Sequence, residues 1–487
     1  MTDYSATTSH KFLNLPNSTL YTYNLWDCHT TARLFFALRD ELKDPQLGHQ
    51  WDYYQSQVQP LQTAVQHMQA RGILLDKAEK RRTQTKLSKE LSATDALICR
   101  YADEVGFSYT DKFPNSNAQV SKLLFDHLGL RGAKRTDSGR LSSDQESLTR
   151  ALRQLRVRDR GALPLLHNLF HRSRLETVRD RYFKIPVDSD SRVRPRVKIT
   201  GTKTFRYAYA EPPLQQYPPE IRRMFRASPG CVLLAADYSQ VQARILAILS
   251  GDNTSLTTFA TPGGDVHVAN TLDLFGMSIK QWEALGPESK SYRNFAKTFL
   301  YGIAFGGKSE TMKTKLYCPC DRCADLVPDT VELTRPQIKA AEERWFAARP
   351  EVRRWQTDLV RDVSRQHYYE SPFGVRRMIA KPWGAELERE VKNIPMQMNE
   401  ALLMNQRQVR LDQAGLPIIF QMHDAFYLEV PQAQVDNIAA EVRGIMEDPC
   451  PELGGHVFPV DIEVGENWGA FGPDNPNGLR KLGVSQP

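Results

Sequence analysis

The sequence predicts an α+β fold, and three stretches predict it. Cys231-Val-Leu-Leu-Ala-Ala-Asp237 is a short apolar run that reads as a buried strand, and Val241, Ile245, Ile248 and Leu249 then recur at helical spacing. Ile418 to Val430 reads as two strands with His423-Asp424 at the tight turn between them. Glu288 to Phe305 reads as a helix on which Arg293, Lys297, Tyr301 and Phe305 recur every four residues and so share one face.

The first two stretches carry the chemistry. Asp237 sits where a strand hands over to a helix, and Asp424 interrupts apolar strand sequence. Burying an unpaired carboxylate is costly, so something positive is expected beside Asp237. A helix cap is the bland alternative for Asp237 taken alone. Two such carboxylates brought together on one sheet make a site for hard divalent cations, and Mg²⁺ favours one or two carboxylates plus substrate phosphates. Two ions can clamp the attacking and leaving oxygens of an in-line phosphoryl transfer. On the third stretch, Arg293 and Lys297 suit a triphosphate, and Tyr301 and Phe305 suit a sugar and base; a solvated basic edge beside a core stripe is the competing reading of that helix by itself.

Composition sets the bounds. The 487 residues are enough for several subdomains. Hydrophobic content of 41% and charged content of 25% are those of an ordinary globular protein rather than a disordered one. The formal net charge of +7 fits a nucleic-acid partner without demanding one. No apolar run approaches a membrane span, and Met1-Thr-Asp-Tyr-Ser5 lacks the features of a signal peptide. Seven cysteines, an odd number in a long chain, point to a reducing compartment and not a disulfide framework.

Taken together, the three stretches resemble motifs A, B and C of the family A DNA polymerases: Asp237-Tyr-Ser-Gln240-x-Gln242-x-Arg244, Arg293-x3-Lys297-x3-Tyr301 and His423-Asp424. Their order and spacing agree with the family. Thr204-Phe-Arg206 resembles the segment before motif A, and Asp265-Val-His267 resembles the family's Asp-Ile-His. Arg389-x3-Asn393-x-Pro395-x-Gln397 and the closing Val464-Gly-Glu-Asn-Trp468 also have family counterparts. The resemblance implies a right-hand polymerase fold with an antiparallel palm sheet, a helical thumb and helical fingers.

In chain order, residues 1–50 hold Tyr23-Asn-Leu-Trp-Asp27 and a helical pattern with Leu34, Phe35 and Leu38. The segment resembles the end of an exonuclease domain, but the carboxylates of a metal-dependent exonuclease have no room here. A plain docking helix is the alternative. A truncated or split polymerase, with the exonuclease elsewhere, would explain the remnant; a separate exonuclease subunit or a processivity factor is then an expected partner, and the compact size and missing exonuclease imply a phage-like replicon in the cytoplasm of a bacterial or phage-infected cell. Residues 51–185 are expected to form the thumb with its entry helix. There Leu61, Val65 and Met68 precede Arg71-Gly-Ile-Leu-Leu-Asp76, helical sequence runs from Lys77 to Glu104, a further helix starts near Asn117, and Lys134 to Arg140 is a basic loop. Residues 186–250 are expected to be the first part of the palm, 251–384 the fingers and 385–487 the rest of the palm.

Two motifs inside the fingers need weighing. Gly302 to Ser309 matches the pattern GxxxxGK[ST], but a phosphate loop must follow a strand, and this one ends a helix. Cys318, Cys320 and Cys323 are compact enough to ligate zinc, yet structural zinc usually takes four ligands and no fourth Cys or His lies nearby. A loop with free thiols is the competing reading.

The resemblance then assigns roles. Asp237 and Asp424, with the backbone carbonyl of Tyr238, would hold two Mg²⁺ ions. Arg293, Lys297, His267, Tyr301, Gln240 and Gln242 would meet the incoming nucleotide, and Lys297 would give a proton to pyrophosphate. Arg206, Arg389, Asn393, Gln397 and His423 would meet primer and template. Gln242 and Ala425 stand where the family has Glu, and Phe305 replaces a Tyr. The rivals are a single-subunit RNA polymerase, disfavoured by Ser239-Gln240 and Thr204-x-Arg206, and a retired polymerase that only binds DNA, disfavoured by Asp237, Asp424, Arg293 and Lys297 together.

Overall fold

This computed structural model describes residues 15–47, 49–131, 134–135, 139, 141–158, 161–304 and 335–483. The chain opens with helix α1 (Asn17–Leu42), none of whose residues is buried. Leu34, Phe35 and Leu38 are exposed, and Trp26 is 65% exposed. Toward the next helix, the Phe35 ring lies edge-on to Trp51 at 6.3 Å. Helix α2 (Gln59–Arg71) buries Leu61, Val65 and Met68 as the pattern predicts. Gly72, at φ 60°, turns α2 directly into strand β1 (Ile73–Leu75). A Cβ there would lie 2.8 Å from the Val193 carbonyl oxygen, so glycine is required twice over.

Helix α3 (Lys77–Glu104) has the predicted bounds because Asp76 caps it, accepting from the Glu79 N–H at 2.9 Å. Helix α4 (Gln145–Arg158) and helix α5 (Leu163–Tyr182) follow, and α5 packs along α3. Between them, Arg172 is nearly buried and donates to Asp95 at 2.6 Å and Glu176 at 2.7 Å. The outer halves of α3 and α5 have their own core, centred on Ile98, Leu123, Leu165 and Phe170. Residues 186–200 supply β2 (Arg192–Val193) and β3 (Arg196–Lys198), and β3 pairs with β4 (Ala208–Ala210). Strand β5 (Phe225–Arg226) closes a small sheet in the order β2-β1-β5.

Strand β6 (Cys231–Tyr238) ends the first half of the chain and runs into helix α6 (Val241–Ser250). Helices α7 (Val266–Phe275), α8 (Ser289–Ala304), α9 (Arg335–Ala347) and α10 (Pro350–Gln366) form a second helical unit. Phe295, Phe299, Ile338, Trp345 and Val352 make its core. Arg349, fully buried, donates through Nη1 to Asp273 at 2.7 Å and lies 3.5 Å from Asp252. The hairpin β7 (Tyr368–Glu370) and β8 (Arg376–Met378) leads to helix α11 (Ala385–Gln413), whose interior is buried through Pro395, Met396 and Met398. Strands β9 (Ile418–Met422) and β10 (Ala425–Pro431), helix α12 (Val435–Met446), β11 (Val460–Gly465) and β12 (Arg480–Lys481) complete the chain.

The main sheet is antiparallel throughout, in the order β12-β11-β6-β10-β9. Central β6 is a continuous apolar run from Val232 to Ala236 because both of its faces are covered. The core beneath it joins the sheet to α2, to the inner halves of α3 and α5, and to Trp468. Trp468 packs on Phe225, Phe420 and Tyr427, which gives the closing segment its structural role. Among the described residues no helix is long and apolar enough to cross a membrane. Residues 305–334 lie outside the described residues, and with them Phe305, the end of the GxxxxGK[ST] match and Cys318, Cys320 and Cys323. The described part of that match, from Gly302, continues helix α8 rather than following a strand.

Candidate active site

The two predicted carboxylates meet at one end of the β6–β10 ladder. Asp237 pairs with Ala425 across the ladder, and the Tyr238 N–H donates to the Asp424 carbonyl at 3.1 Å. Alternation does the aiming: Tyr238 points into the core, where its hydroxyl donates to the Met446 carbonyl at 2.6 Å, so Asp237 points out. The turns beside both carboxylates use left-handed backbone, at Gln240 (φ 57°) and His423 (φ 56°). Such conformations are uncommon outside glycine and persist where the surroundings enforce them, as at functional sites.

The cation expected beside Asp237 is not a side chain. Among the described residues neither Asp237 nor Asp424 makes an ion pair. On the other side of β6, Asp461 pairs directly with Asp237, although Asp461 itself reaches Lys481 at 3.0 Å. Like charges directly opposite one another on a sheet are destabilising. The Asp237 carboxylate touches solvent, yet loss of hydration to the surrounding protein pushes its carboxyl up to about 7, with Asp424, Asp461, Glu463 and Glu400 adding to the rise. Burial also raises Asp424, partly offset by a backbone hydrogen bond, His423, Arg206 and Lys297. A cluster of this sign is relieved by bound cations. Among the described residues no three His, Cys, Asp or Glu groups converge to cage a metal alone. Two carboxylates without a full cage suit Mg²⁺, which keeps waters and completes its shell with substrate phosphates.

Helix α8 contributes the opposing charge. Its apolar face buries Phe295, Ala296, Phe299 and Leu300, which leaves Arg293, Lys297 and Tyr301 on the other side. Arg293 is held: its Nε donates to Asp265 at 2.7 Å, while Asp265 also caps α7 through the His267 and Val268 N–H groups. Lys297 is exposed and makes no ion pair among the described residues. His267 is buried, and neither ring nitrogen has a hydrogen-bond partner among the described residues. Burial, Arg293 and Lys297 push its imidazole down to about 4, so it is neutral at pH 7 and retains one donor and one acceptor. The Tyr301 ring meets it edge-on at 6.0 Å, and burial pushes the Tyr301 hydroxyl up to about 12.

The remaining predicted residues lie on α11 and in the loop before β4. Arg389, Asn393 and Gln397 form a half-buried stripe along α11, with Asn393 Nδ2 donating to the Arg389 carbonyl at 3.1 Å. Arg206 does not stand free: its Nη2 donates to both oxygens of Glu400 at 2.8 and 2.7 Å. His423 is exposed at the hairpin turn, and Gln242 lies on the first turn of α6. Gln240, just ahead of α6, has a buried Oε1 without a hydrogen-bond partner among the described residues. Arg376 and Arg377 of the β7–β8 hairpin are engaged by Glu370 and Glu390 at 2.7 and 2.6 Å.

Sequence reasoning missed Glu400 and Asp265 as site residues. Glu400 continues the α11 stripe three residues beyond Gln397, so helical spacing carried the signal. Asp265 was read only as part of the Asp265-Val-His267 resemblance, not as the partner of Arg293, which is 28 residues away.

An antiparallel sheet that presents paired carboxylates between two helical units is the architecture of the right-hand polymerases. The chain belongs to DNA polymerase family A, whose family model matches residues 77–470. It is similar to the thermostable DNA polymerase I of Thermus aquaticus, 29% identical over 85% of this chain and 48% of that protein. It is also similar to DNA polymerase I of Chloroflexus aurantiacus, 28% identical over 95% of this chain and 48% of that protein. The chain thus spans about half the length of the curated relatives it matches. Among solved structures, the POL domain of Pol1 from M. smegmatis, in complex with DNA primer-template and dNTP, superposes with a TM-score of 0.68. At 22% identity, covering 85% of this chain and 70% of that one, this likeness bears on the fold.

Proposed function

We propose that this chain is a template-directed DNA polymerase that adds dNTPs to a primer 3′ end by two-metal phosphoryl transfer, in replication or repair. The observation that carries the reading is the meeting of Asp237 and Asp424 at one ladder end without a cationic partner among the described residues, with Lys297 unpaired on α8. Asp237, Asp424 and the Tyr238 carbonyl would hold two Mg²⁺ ions. Bound there, such ions lower the pKa of an attacking hydroxyl and stabilise the leaving oxygen.

The side chains do the rest. Lys297 binds the triphosphate and gives its Nζ proton to the departing pyrophosphate. Arg293, fixed by Asp265, presents its remaining N–H donors to the phosphates, and a neutral His267 adds one more donor. Tyr301 packs against the incoming sugar and base, with Gln240 and Gln242 beside it. Arg206 reaches the minor-groove edge of the primer end, where every base pair offers an acceptor, so pair shape is checked without reading sequence. Arg389, Asn393, Gln397 and His423 line the primer–template path. In this reading residues 51–185 act as thumb, 186–250 and 385–487 as palm, and 251–384 as fingers. The duplex grip comes from Lys and Arg on phosphates. We propose no 3′–5′ exonuclease in this chain; such an activity, zinc at Cys318, Cys320 and Cys323, and a processivity factor belong to separate tests.

Primer extension on a labelled primer–template tests the reading. Extension is expected with dNTPs and Mg²⁺, little with rNTPs, and none when EDTA removes the metal. Extension with rNTPs alone would make the chain an RNA polymerase, and DNA binding without extension would make it a retired one. Labelled mismatched primer with Mg²⁺ and no dNTP should stay full length.

A further inference from the structure

Asp424 takes its aim from a turn that is unusual for its residues. His423 and Asp424 are the two central residues between β9 and β10, and of the two only His423 has a positive φ, 56°. Two-residue hairpin turns with a positive φ at the first central position normally carry Gly there, because a side chain strains that backbone. The surroundings must therefore hold residue 423 in place.

Gln421, two residues back, supplies the hold. It is buried, and its Nε2 donates to the His423 carbonyl at 2.5 Å. The orientation is forced, since only the NH₂ end of an amide can meet a carbonyl oxygen. The Oε1 end is left buried without a hydrogen-bond partner among the described residues. A buried acceptor without a donor is costly, and a methionine would fill similar space without that cost. Gln421 is thus poorly suited to packing alone and well suited to holding a carbonyl. Its own backbone is tethered, the N–H donating to the Tyr209 hydroxyl of β4 at 3.0 Å.

The consequence falls on Asp424. The peptide plane ahead of Asp424 contains the His423 carbonyl, held by Gln421. The plane after it contains the Asp424 carbonyl, held by the Tyr238 N–H at 3.1 Å. A residue's φ and ψ are the rotations of these two planes about its Cα, so pinning both fixes the backbone of Asp424. Its carboxylate then leaves Cα in one set direction, at the ladder end where Asp237 sits.

We propose that Gln421 is a positioning residue for the metal site: its side-chain amide locks the left-handed turn at His423 and so sets Asp424 for Mg²⁺. The proposal rests on the polymerase reading above. Gln421 acts through the His423 carbonyl and not on the ion itself.

The test varies both the lock and the need for it. Full-length native protein, Gln421→Met, His423→Gly and the double variant are compared at pH 8. Mg²⁺ alone is titrated against Tm, without DNA or nucleotide, and primer extension is followed against Mg²⁺ and dNTP. Gln421→Met should raise the half-saturating Mg²⁺ in both titrations and lower kcat, each by about fivefold, the effect of one hydrogen bond. Primer–template Kd should stay within about twofold of native, and Tm without metal should be level or higher, because the unpaired acceptor is gone. Gly adopts a positive φ without strain, so in the His423→Gly background Gln421→Met should move the half-saturating Mg²⁺ by less than about twofold. Each comparison is made within one background, so any loss from the missing imidazole cancels. An equal rise in both backgrounds, no rise in either, or losses that follow a fall in Tm would overturn the lock. Should Gln421→Met not fold, Gln421→Glu decides. Its carboxylate cannot donate to the His423 carbonyl, but it attracts Mg²⁺ through space. A higher half-saturating Mg²⁺ then supports the lock, and an equal or lower one overturns it. Native protein that never extends a primer overturns the polymerase reading, while the Mg²⁺ shift in Tm still reads the lock.

Discussion

The sheet and the second helical unit treat charge in opposite ways. Around α7 to α10, buried Arg349 is paired with Asp273 and lies near Asp252, and half-buried Arg293 is paired with Asp265. At the end of β6, carboxylates gather and the two central ones form no ion pair among the described residues. Paired charge fixes one element against another. Unpaired charge of one sign stores a demand for a ligand, at a cost to the folded state. The contrast separates residues that hold the molecule together from residues that await something.

The largest effect should come from deleting that demand. Asp237→Ala and Asp424→Ala should each lower the primer-extension rate by about a thousandfold or more, ~4 kcal/mol of transition-state stabilisation, while primer–template binding survives. Residual extension near the native rate in either variant would remove that residue from the metal site. On the paired side, Arg349→Met leaves Asp252 and Asp273 facing each other without their cation. It should cost about 3 kcal/mol or more in a urea titration, because a broken buried pair leaves uncompensated charge. A loss well under 1 kcal/mol would show that water reaches the pair.

A pH experiment sharpens the same contrast. Asp237 and Glu400 both have carboxyls raised to about 7, chiefly by burial. The raised groups contribute stability that is full below the unfolded carboxylate range and lost as pH rises through about 7. In EDTA these two groups should therefore pull Tm down as pH goes from 4 to 7, against the opposite pull of His267, and Asp237→Asn should shift the slope over that range toward more positive values than native. Mg²⁺ binds the ionised carboxylates, so it should raise Tm at pH 8 and much less at pH 5; equal shifts at both would point to a different metal site. The smallest effect concerns Tyr301. Within the family a Tyr at this position goes with ready use of dideoxynucleotides, its hydroxyl standing in for the missing 3′-OH. Tyr301→Phe should raise discrimination against ddNTPs several-fold, about 1 kcal/mol, with dNTP use little changed. Competition between ddNTP and dNTP on one template reads this directly.

Local signals in the sequence were reliable where one stretch determines its own structure. Asp76 marks the start of α3, the apolar run marks β6, and the His423-Asp424 turn joins β9 to β10. Asp237 and Asp424 could be matched because each interrupts an apolar run. The partners were not legible, because they are set by topology. Nothing near Arg206 names Glu400, 194 residues away, and nothing near Asp237 names Asp461 as its cross-strand neighbour. For α1 the pattern of Leu34, Phe35 and Leu38 correctly gave a helix but could not tell a covered face from a bare one.

The shared ladder of β6 and β10 makes the site sensitive to counting. Side chains on a strand alternate between faces, so adding one residue between Val232 and Ala236 would shift the phase of everything after it. Asp237 would turn into the core and Tyr238 out toward solvent, or the strand would bulge to absorb the extra residue. Length changes in surface loops are cheap by comparison. In this chain, tolerance to insertion is thus a map of the machinery: indels can collect around it, but within a few residues of Asp237 and Asp424 the spacing itself is the information being kept.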